Sequence, residues 1–517
     1  MYIGDYLGRR EIYSPEKLAI IDAGKTPELR LTFREWNQRV NKLANWLRTS
    51  AGVGYRDRVA ILAQDGVEHL DLFHACSKLG AIHTALNWRL HWRELAGIVE
   101  RTTPKVLLYS DKFKDAVAEV VQATAGTPHA IACLVHTDGD GLPGSLHFES
   151  ILAAAPETPV TYEALAEEDI ACLLFTGGTT GLPKGAQISH RQVCWNVLNT
   201  VIHDVQHDDI YLNVFPLFHI GGLFTYLSSQ VVFGNTTILV KQFDPAQVLD
   251  LIEREQVSIF AAVPTMYQMM TQAPNWPTAD LTSLRFCTSG GAPLPVPLVE
   301  QYTREKGIRF KQGFGMTEFG PGIFALAPED AIRKAGSIGR PNFYVDARIV
   351  DDDNNFLGPD EEGELVLKGP SYCSGYFGDP AASAAAVDAR GYFHTGDVAH
   401  FDAEGYFTIV DRKKDMYISG GENVYPAEIE KALYEHPAVL MCAVIGLPDP
   451  KWGEMGRACV VLKPGAAADE AELLAFMAAR LARYKVPRSV VFRAALPISA
   501  AGKILKRELR DEYIGLS

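Results

Sequence analysis

The sequence lacks any apolar run of the roughly 20 residues that a membrane-spanning helix needs. Its first residues, MYIGDYLGRREIYS, also lack the apolar core of a secretory signal. We therefore expect a cytoplasmic protein without a spanning helix; peripheral contact with a membrane stays open, and so does a homodimer. Cysteines in CxxC pairs are absent too, because all eight occur singly. Their scatter predicts free thiols in a reducing compartment rather than disulfides.

The chain has few basic residues relative to acidic ones: 49 lysines and arginines and 63 aspartates and glutamates give a net charge of -14. This acidic balance argues against nucleic acid as a partner, although a small anion needs only a local basic pocket. Apolar residues at 47% and charged residues at 22% are typical of a globular protein. A chain of 517 residues exceeds what one core usually organises, so we expect at least two domains.

Short apolar segments, each followed by turn or helical sequence, predict an α/β arrangement. VAILAQ (59–64), KVLLYS (105–110) and ACLLFT (171–176) are typical of strands buried in a layered sheet. Residues 33–50 predict a helix, because their apolar side chains recur every three or four positions as a core-facing stripe. The expected fold class is therefore α/β, with a large N-terminal domain of layered sheets.

The sequence changes character after about residue 340, where glycine, aspartate and short alternating runs become frequent. We expect hairpins there, and beyond them a helix that starts near Pro426, where proline suits a first turn. The expected elements are strands at 346–350 and 364–368, a second hairpin within 391–410, a strand at 458–463 and a helix at 469–484. This pattern predicts a β-rich subdomain and then a small α+β domain, dividing the chain into 1–411 and 412–517.

A glycine-rich loop follows the predicted strand 171–176 and reads FTGGTTGLPKGA over residues 175–186. Its glycines let backbone N–H groups approach an anion, its threonines add hydroxyl donors, and its lysine adds positive charge. These residues are Gly177, Gly178, Gly181 and Gly185, then Thr176, Thr179 and Thr180, and Lys184. The loop suits a triphosphate but is not a Walker A motif, because Lys184 is followed by Gly185 rather than by serine or threonine.

This loop resembles the phosphate loop of the adenylate-forming enzymes, which include acyl-CoA synthetases, firefly luciferase and peptide-synthetase adenylation domains. The family loop reads approximately YTSGTTGxPKG; here Phe175 replaces the tyrosine, and Gly177 replaces the serine and removes one hydroxyl donor. Further motifs follow in the family's order: FPLFHIGG (215–222), TSGGAPLP (288–295), QGFGMTE (312–318), HTGD (394–397), DRKKD (411–415), SGGENVYPAEIE (419–430) and PISAAGKILKREL (497–509). The resemblance runs from about residue 10 to the end and implies an acyl-CoA synthetase with a small, mobile C-terminal domain.

The resemblance implies a nucleotide site built from several of these motifs. Its members are Thr176, Gly177, Gly178, Thr179, Thr180, Gly181, Lys184, Gly290, Gly291, Ala292, Gly313, Phe314, Gly315, Met316, Thr317, Asp397, Arg412 and Lys503. The ring of Phe314 can stack on adenine, Thr317 is placed for the α-phosphate, and the Glu318 carboxylate suits Mg²⁺. Asp397 can accept both hydroxyls of a ribose, with Arg412 beside it.

The acid and coenzyme A sites also follow from the resemblance. His219 is expected near the substrate carboxylate, in an acyl pocket made by Phe218, His219, Gly221, Gly222, Leu223 and Phe319. Lys503 is the implied catalytic lysine, acting with Thr317, Glu318 and His219. Lys414 is the implied hinge about which the C-terminal domain pivots, which brings Gly420, Gly421 and Trp452 to coenzyme A.

The implied activity is ATP-dependent conversion of a carboxylic acid to acyl-AMP, with release of pyrophosphate, and then thioester formation with coenzyme A. We expect ATP, Mg²⁺ and coenzyme A, and a medium- or long-chain fatty acid as the substrate. Aryl acids such as cinnamates stay open, as does an enzyme that loads a separate carrier protein. Retention of Lys503, Glu318, Asp397 and Arg412 argues against a non-catalytic nucleotide sensor, and the short sequence beyond Lys503 favours coenzyme A as the acceptor.

Overall fold

The computed structural model describes residues 4–162, 164–176, 183–292, 294–412, 415–419, 422–450, 452–499 and 504–514. Within these ranges the chain forms four sheets covered by helices. The α/β fold class expected from the sequence is confirmed.

The first part of the chain alternates strands and helices up to residue 201. Its elements are α1 (Tyr6–Tyr13), β1 (Leu18–Asp22), β2 (Leu29–Thr32), α2 (Phe33–Thr49), β3 (Arg58–Leu62), α3 (Val67–Leu79), β4 (Ile82–Ala85), α4 (Trp92–Thr102), β5 (Val106–Tyr109), α5 (Lys114–Thr124), β6 (Cys133–His136), β7 (Leu146–His147), α6 (Phe148–Ala154), β8 (Ile170–Thr176), β9 (Lys184–Ser189) and α7 (His190–Val201).

The second part continues this alternation. Its elements are β10 (Ile210–Asn213), α8 (Ile220–Phe224), α9 (Leu227–Phe233), β11 (Thr236–Leu239), α10 (Pro245–Arg254), β12 (Ile259–Ala262), α11 (Pro264–Thr271), β13 (Phe286–Ser289), α12 (Val296–Lys306), β14 (Phe310–Met316), β15 (Gly320–Leu326) and β16 (Arg340–Pro341). Short 3₁₀ helices occur at Asp111–Phe113 and Pro328–Asp330.

The last part is richer in antiparallel strands. Its elements are β17 (Asp346–Val350), β18 (Gly363–Lys368), α13 (Pro380–Ala385), β19 (Phe393–Phe401), β20 (Phe407–Arg412), β21 (Tyr417–Ser419), β22 (Glu422–Val424), α14 (Pro426–Tyr434), β23 (Val439–Asp449), β24 (Gly453–Leu462), α15 (Glu470–Ala478), β25 (Ser489–Phe492) and α16 (Lys506–Ile514).

Two large sheets carry the first two parts of the chain. One has the strand order β7-β6-β5-β3-β4-β8-β9, and the other has the order β16-β15-β14-β13-β12-β10-β11-β1-β2. The strands predicted at 59–64, 105–110 and 171–176 are β3, β5 and β8 of the first sheet, which confirms them. Parallel pairing dominates both interiors, and antiparallel strands lie at the edges, as in β8–β9 and β14–β15.

Helix α2 shows why the predicted stripe folds as it does. Thr32 and Glu35 form a reciprocal capping box that satisfies the first backbone N–H groups. Trp36, Val40, Leu43, Ala44 and Leu47 are all fully buried. The predicted helix is thus confirmed, with its apolar face on α3 and α6.

The third and fourth sheets confirm the predicted hairpins. Strands β17, β18, β19 and β20 form an antiparallel sheet in that order, and β20 runs to Arg412, next to the proposed boundary. The fourth sheet has the order β22-β21-β24-β23, with β25 parallel to β24. Helix α14 starts at Pro426 as predicted. Helix α15 ends earlier than the predicted residue 484, because a turn after Ala478 redirects the chain towards β25.

Within the described ranges, no helix combines the length and the apolar character that crossing a bilayer would require. All eight cysteines are free, six of them buried and two partly buried. The prediction of free thiols is therefore confirmed.

Candidate active site

The glycine-rich loop is held between the ends of two paired strands. Thr176 of β8 and Lys184 of β9 are antiparallel partners, and the Thr176 hydroxyl donates to the Lys184 carbonyl at 3.4 Å. Gly177, Gly178, Thr179, Thr180 and Gly181 lie outside the described residues. Their two flanks nevertheless fix where the loop begins and ends, at the edge of the first sheet.

Lys184, Tyr376 and Glu318 form a cluster beside this loop. The Lys184 ammonium lies 5.0 Å from the centre of the Tyr376 ring, and the Tyr376 hydroxyl donates to Glu318 Oε1 at 2.9 Å. Burial and the neighbouring Glu318 carboxylate raise the pKa of the Tyr376 phenol, so it stays a neutral donor. The cluster joins the lysine predicted for phosphate to the carboxylate predicted for Mg²⁺.

Tyr376 was not predicted from the sequence. It reaches the cluster because its segment pairs with β9: the Gln187 N–H donates to the Gly375 carbonyl at 2.9 Å, and the Phe377 N–H donates to the Gly185 carbonyl at 2.8 Å. The only local signal is an aromatic residue in the glycine-containing segment SGYFG (374–378). Its partner lies some 190 residues earlier, which no local pattern reveals.

The segment QGFGMTE forms the end of β14 and the turn into β15. A Cβ on Gly315 would lie 2.5 Å from Pro321 Cα, so the two strands can meet here only with glycine. Phe314 packs edge-to-face on Phe324 at 5.8 Å. Thr317 is buried, and the Glu318 carbonyl accepts from the Cys373 N–H at 2.7 Å. Adjacent backbone bonds therefore fix the turn that presents Glu318.

Three of the predicted loops leave the same edge of the second sheet. β10, β12, β13 and β14 are parallel neighbours, so the loops that follow them share the carboxyl edge, where α/β sheets bind ligands. His219 follows β10, Gly290–Ala292 follow β13, and Met316–Glu318 end β14. Gly290 and Gly313 are adjacent, because a Cβ on Gly290 would lie 3.4 Å from the Gly313 carbonyl oxygen.

His219 caps the short helix α8, and its Nδ1 accepts from the Gly221 N–H at 3.2 Å. The segment before it is anchored by the Leu217 N–H, which donates to Asp65 Oδ1 at 2.8 Å. Gly222 does not leave room for an acyl chain as expected, because a Cβ there would lie 2.1 Å from the Pro216 carbonyl oxygen. It is required by this turn, whereas Gly221 meets nothing closer than 3.4 Å.

The other predicted acyl-pocket residues lie mainly in cores. Phe218 and Leu223 are buried in the core around the first sheet, with Phe218 edge-on to Trp88 at 6.2 Å. Phe319 belongs to the core beneath β17–β20 and packs against Tyr372. Phe314 and Met316 pack against the same core, and a place for Phe319 on the acid wall stays a prediction.

Asp397 and Arg412 are cross-strand neighbours, since β19 and β20 pair them directly. Asp397 is 2% exposed, and its N–H donates to Thr395 Oγ1 at 3.0 Å. The two residues implied for the ribose are thus adjacent in the sheet. For Arg412 the side chain lies outside what the structure describes.

Lys414, Gly420, Gly421 and Lys503 lie outside the described residues, so their roles remain predictions. The segment leading to Lys503 is described up to Ser499, whose carbonyl accepts from Arg89 Nη1 at 3.3 Å. Arg89 lies 4.7 Å from the centre of the Trp88 ring, which contacts Phe218. Trp452 is exposed, and its N–H donates to Asp449 Oδ1 at 2.8 Å.

The residues present fit Mg²⁺ bound largely through a substrate. Among the described residues no group of three or more His, Cys, Asp or Glu side chains could hold a metal. Glu318 supplies one hard carboxylate, and Mg²⁺ commonly takes one or two protein carboxylates together with phosphate oxygens and water. An all-protein metal site is therefore not what this arrangement provides.

The fold and the cluster of Lys184, Tyr376 and Glu318 are those of an α/β enzyme. The AMP-binding enzyme family matches residues 11–377, and the AMP-binding enzyme C-terminal domain matches residues 428–503. Feruloyl-CoA synthase of an Amycolatopsis species is 40% identical over 99% of both chains. The long-chain-fatty-acid–CoA ligase FadD13 of Mycobacterium tuberculosis is 37% identical, over 99% of this chain and 98% of its own.

A solved structure shows the same fold: ATP-bound MatB from Rhodopseudomonas palustris superposes with a TM-score of 0.90 at 30% identity, covering 100% of both chains. The chain belongs to the AMP-binding enzyme family, the adenylate-forming enzymes that its motifs resemble. It is an AMP-forming acid–thiol ligase that uses ATP, Mg²⁺ and coenzyme A. The enzyme class predicted from the sequence is confirmed.

Proposed function

We propose that this acyl-CoA ligase activates an aryl acid, with the Lys184–Tyr376–Glu318 cluster and Lys503 acting on the phosphates of ATP. The observation that carries the residue roles is the cluster itself, where a cation and a carboxylate lie beside the glycine-rich loop, bridged by Tyr376. Cations placed where charge develops are the main way to accelerate phosphoryl and acyl transfer.

The first step joins the acid to AMP. The carboxylate oxygen attacks the α-phosphorus in line, the bond to the bridging oxygen breaks, and pyrophosphate leaves. Lys184 and the loop donate to the phosphates, Thr317 donates near the α-phosphate, and Lys503 neutralises the charge that grows there. Glu318 would hold Mg²⁺, and the bound ion would supply further positive charge to the phosphate oxygens. His219 orients the acid, and Asp397 and Arg412 hold the ribose.

In the second step, different residues must surround the acyl carbon, because coenzyme A has to reach it. The thiol of coenzyme A attacks that carbon and AMP leaves. We assign residues 1–411 and 412–517 to the two domains, with Lys414 as the hinge. A rotation there removes Lys503 and presents Gly420, Gly421 and Trp452 to the pantetheine arm and nucleotide of coenzyme A.

The aryl preference starts from a narrow gap in the packing between α7, α8 and β15, which is too small for a water molecule in this structure. Its lining is Ile188, Gln192, Val193, Asn196, Ile220, Phe224 and Gly320. Phe224 closes the far side, because its ring packs edge-to-face on Phe73 at 5.7 Å. An acid can enter this gap only when its lining moves apart, and we propose that a flat ring requires less movement than a long alkyl chain. The similarity to a feruloyl-CoA synthase supports the same choice.

A medium- or long-chain fatty acid is the second candidate. Beyond Phe224 lies another cavity, lined by Tyr6, Phe73, His74, Val193, Val197, Ser228, Val231 and Val232, and the two cavities share Val193. Rotation of the Phe224 ring would join them into a mostly apolar path between α1, α7 and α9. The similarity to FadD13 supports this alternative.

Exchange of labelled pyrophosphate into ATP, measured with matched aryl and fatty acids, tests the proposal. We expect cinnamates or phenylacetates to support exchange about tenfold better than octanoate or palmitate, and coenzyme A to convert the adenylate to a thioester. Faster exchange with fatty acids would favour the second candidate. Exchange with neither class would overturn both.

If Lys414 is the hinge, Lys414→Pro should impair overall turnover but spare one of the two half-reactions. Proline fixes φ and removes a backbone donor, so rotation at this position should be blocked. We expect overall turnover to fall about tenfold or more, while one of the two half-reactions, assayed alone, keeps its rate. Lys463→Ala, an exposed lysine of the C-terminal part, is the control. Unchanged overall turnover in Lys414→Pro would contradict the hinge.

A further inference from the structure

Helix α7 carries a buried polar stripe on the side that faces β15. Gln192, Asn196 and Asn199 recur at the spacing that places side chains on one helix face, and they are 1%, 3% and 0% exposed. The core-facing side of a helix is normally apolar. Val193 and Val197 provide the apolar contacts on the neighbouring face of α7. The three buried amides therefore add polar groups to a helix that already has apolar side chains in the core.

The hydrogen bonds of this stripe are incomplete. Gln192 Nε2 donates to the Thr317 carbonyl at 3.4 Å, and Asn196 Nδ2 donates to the Phe224 carbonyl at 2.6 Å. Asn199 has no partner for either its amide nitrogen or its amide oxygen among the residues that the structure describes. An unpaired buried amide costs free energy, so a group that pairs with Asn199 on binding would recover that cost.

The side of β15 that faces this polar stripe carries two glycines, Gly320 and Gly322. A Cβ on Gly320 would lie 2.9 Å from Asn196 Oδ1. A Cβ on Gly322 would lie at 3.6 Å from Asn199 Cβ, Thr200 Oγ1 and Asn342 Nδ2, which is ordinary contact distance. Glycine at position 322 therefore lets the polar side chains of Asn199, Thr200 and Asn342 approach β15 closely. His203 Nε2 and Asn342 Oδ1 close the stripe at 2.6 Å.

This position lies on the path an acid would take. β15 begins two residues after Glu318, and Gly322 lies roughly 7 Å further along the strand than Gly320. Gly320 and Asn196 line the pocket assigned above to the acid. The carboxylate end of a bound acid would thus lie near Thr317, and its far end would lie near Asn199.

We propose that Asn199, together with Asn196, recognises a hydrogen-bonding substituent, such as a hydroxyl, at the end of the acid remote from the carboxylate. This inference rests on the proposed function, because it places the acid between α7 and β15. The amide of Asn199 offers a donor and an acceptor, so a hydroxyl satisfies it, and an acid that lacks the hydroxyl leaves it unpaired. Sites built this way discriminate strongly against the analogue without the polar group.

Pairs of acids that differ by one hydroxyl test the proposal. The probes are 4-hydroxycinnamate with cinnamate, 4-hydroxyphenylacetate with phenylacetate, and 8-hydroxyoctanoate with octanoate. We expect kcat/KM for pyrophosphate exchange to favour the hydroxylated member of the reactive pair about tenfold or more. Asn199→Leu, which is close in volume but cannot form hydrogen bonds, should reduce that ratio about tenfold and raise the melting temperature of the free protein.

Asn41→Leu is the matched control. Asn41 is also a buried helical asparagine with an unpaired Oδ1, but it lies on α2, so the ratio should not change. Gly322→Ala is a second, independent variant, because its methyl group meets only ordinary contacts in the free protein yet narrows the space between β15 and Asn199 into which the substituent would reach. It should raise KM for the hydroxylated acid more than for its partner.

The outcomes separate this inference from the proposed function. If only 8-hydroxyoctanoate and octanoate react, the proposal of an aryl acid fails. The ratio of kcat/KM for these two acids still tests the role of Asn199. A wild-type ratio near one, or the same ratio in wild type and Asn199→Leu, overturns the inference whatever acid is activated. So does an equal rise in KM for both acids in Gly322→Ala.

Discussion

Replacing Lys503 by alanine is expected to slow formation of acyl-AMP by about 100-fold or more, the usual loss when one fixed stabiliser of developing charge is removed. Thioester formation from supplied acyl-AMP should change by less than about threefold, because no charge on pyrophosphate develops in that step. Pyrophosphate exchange measures the first half-reaction, and the appearance of thioester from synthetic acyl-AMP and coenzyme A measures the second.

The contact made by Ser499 supports this separation. Arg89 donates to the Ser499 carbonyl, and Arg89 lies next to Trp88, which touches the segment that carries His219. The chain four residues before Lys503 is therefore held against the N-terminal part near Trp88 and Phe218, beside the segment proposed to bind the acid. Lys463→Ala serves as the control for loss of a lysine in the same domain. Equal losses in both half-reactions would contradict the assigned role.

The fold could be predicted largely from local sequence. Segments such as 105–110 and 171–176 became β5 and β8, because short continuous apolar runs followed by turn residues suit strands buried on both faces of a sheet. The start of α14 at Pro426 followed from the preference of proline for a first helical turn. The order of strands could not be predicted in the same way, because it depends on contacts between segments such as β1 and β11 that lie far apart in the chain.

The candidate site was predictable in its motifs and not in its side-chain directions. Glu318 was found from GMTE, but its hydrogen bond to Tyr376 joins two segments 58 residues apart. The direction of the Phe319 side chain could not be predicted, because a bulge between Phe314 and Met316 and the following turn decide which face each side chain takes. The small size of Gly222 was correctly noticed, but the neighbour that requires it is the Pro216 carbonyl.

The burial of the polar stripe on α7 is another feature that could not be predicted from the sequence. From the sequence alone, Gln192, Asn196 and Asn199 would be taken for a solvent-facing side, because amide residues are mostly exposed. Only the packing of α7 on β15, where Gly320 and Gly322 let the helix approach closely, shows that these amides are buried. The burial of these amides is therefore a feature that composition does not reveal.

Glu318→Gln is expected to be the second most damaging substitution, with acyl-AMP formation slowed about 100-fold. Glutamine keeps the size of the side chain and can still accept from the Tyr376 hydroxyl, so the turn held by Cys373 should persist. What it removes is the negative charge that suits Mg²⁺. The Mg²⁺ concentration that gives half-maximal pyrophosphate exchange should therefore rise, and this readout separates lost metal binding from lost folding.

Tyr376→Phe provides the matched comparison, since it removes the hydroxyl that donates to Glu318 and keeps the ring beneath Lys184. Loss of one hydrogen bond to a charged group amounts to about 1.5–3 kcal/mol at most, and the remaining carboxylate still attracts the cation. We therefore expect a smaller fall, about tenfold, and a smaller rise in the Mg²⁺ requirement than in Glu318→Gln. If Glu318→Gln titrated with Mg²⁺ as the wild type does, Glu318 would only anchor Tyr376, and the metal would have to be held by other oxygen atoms of the site.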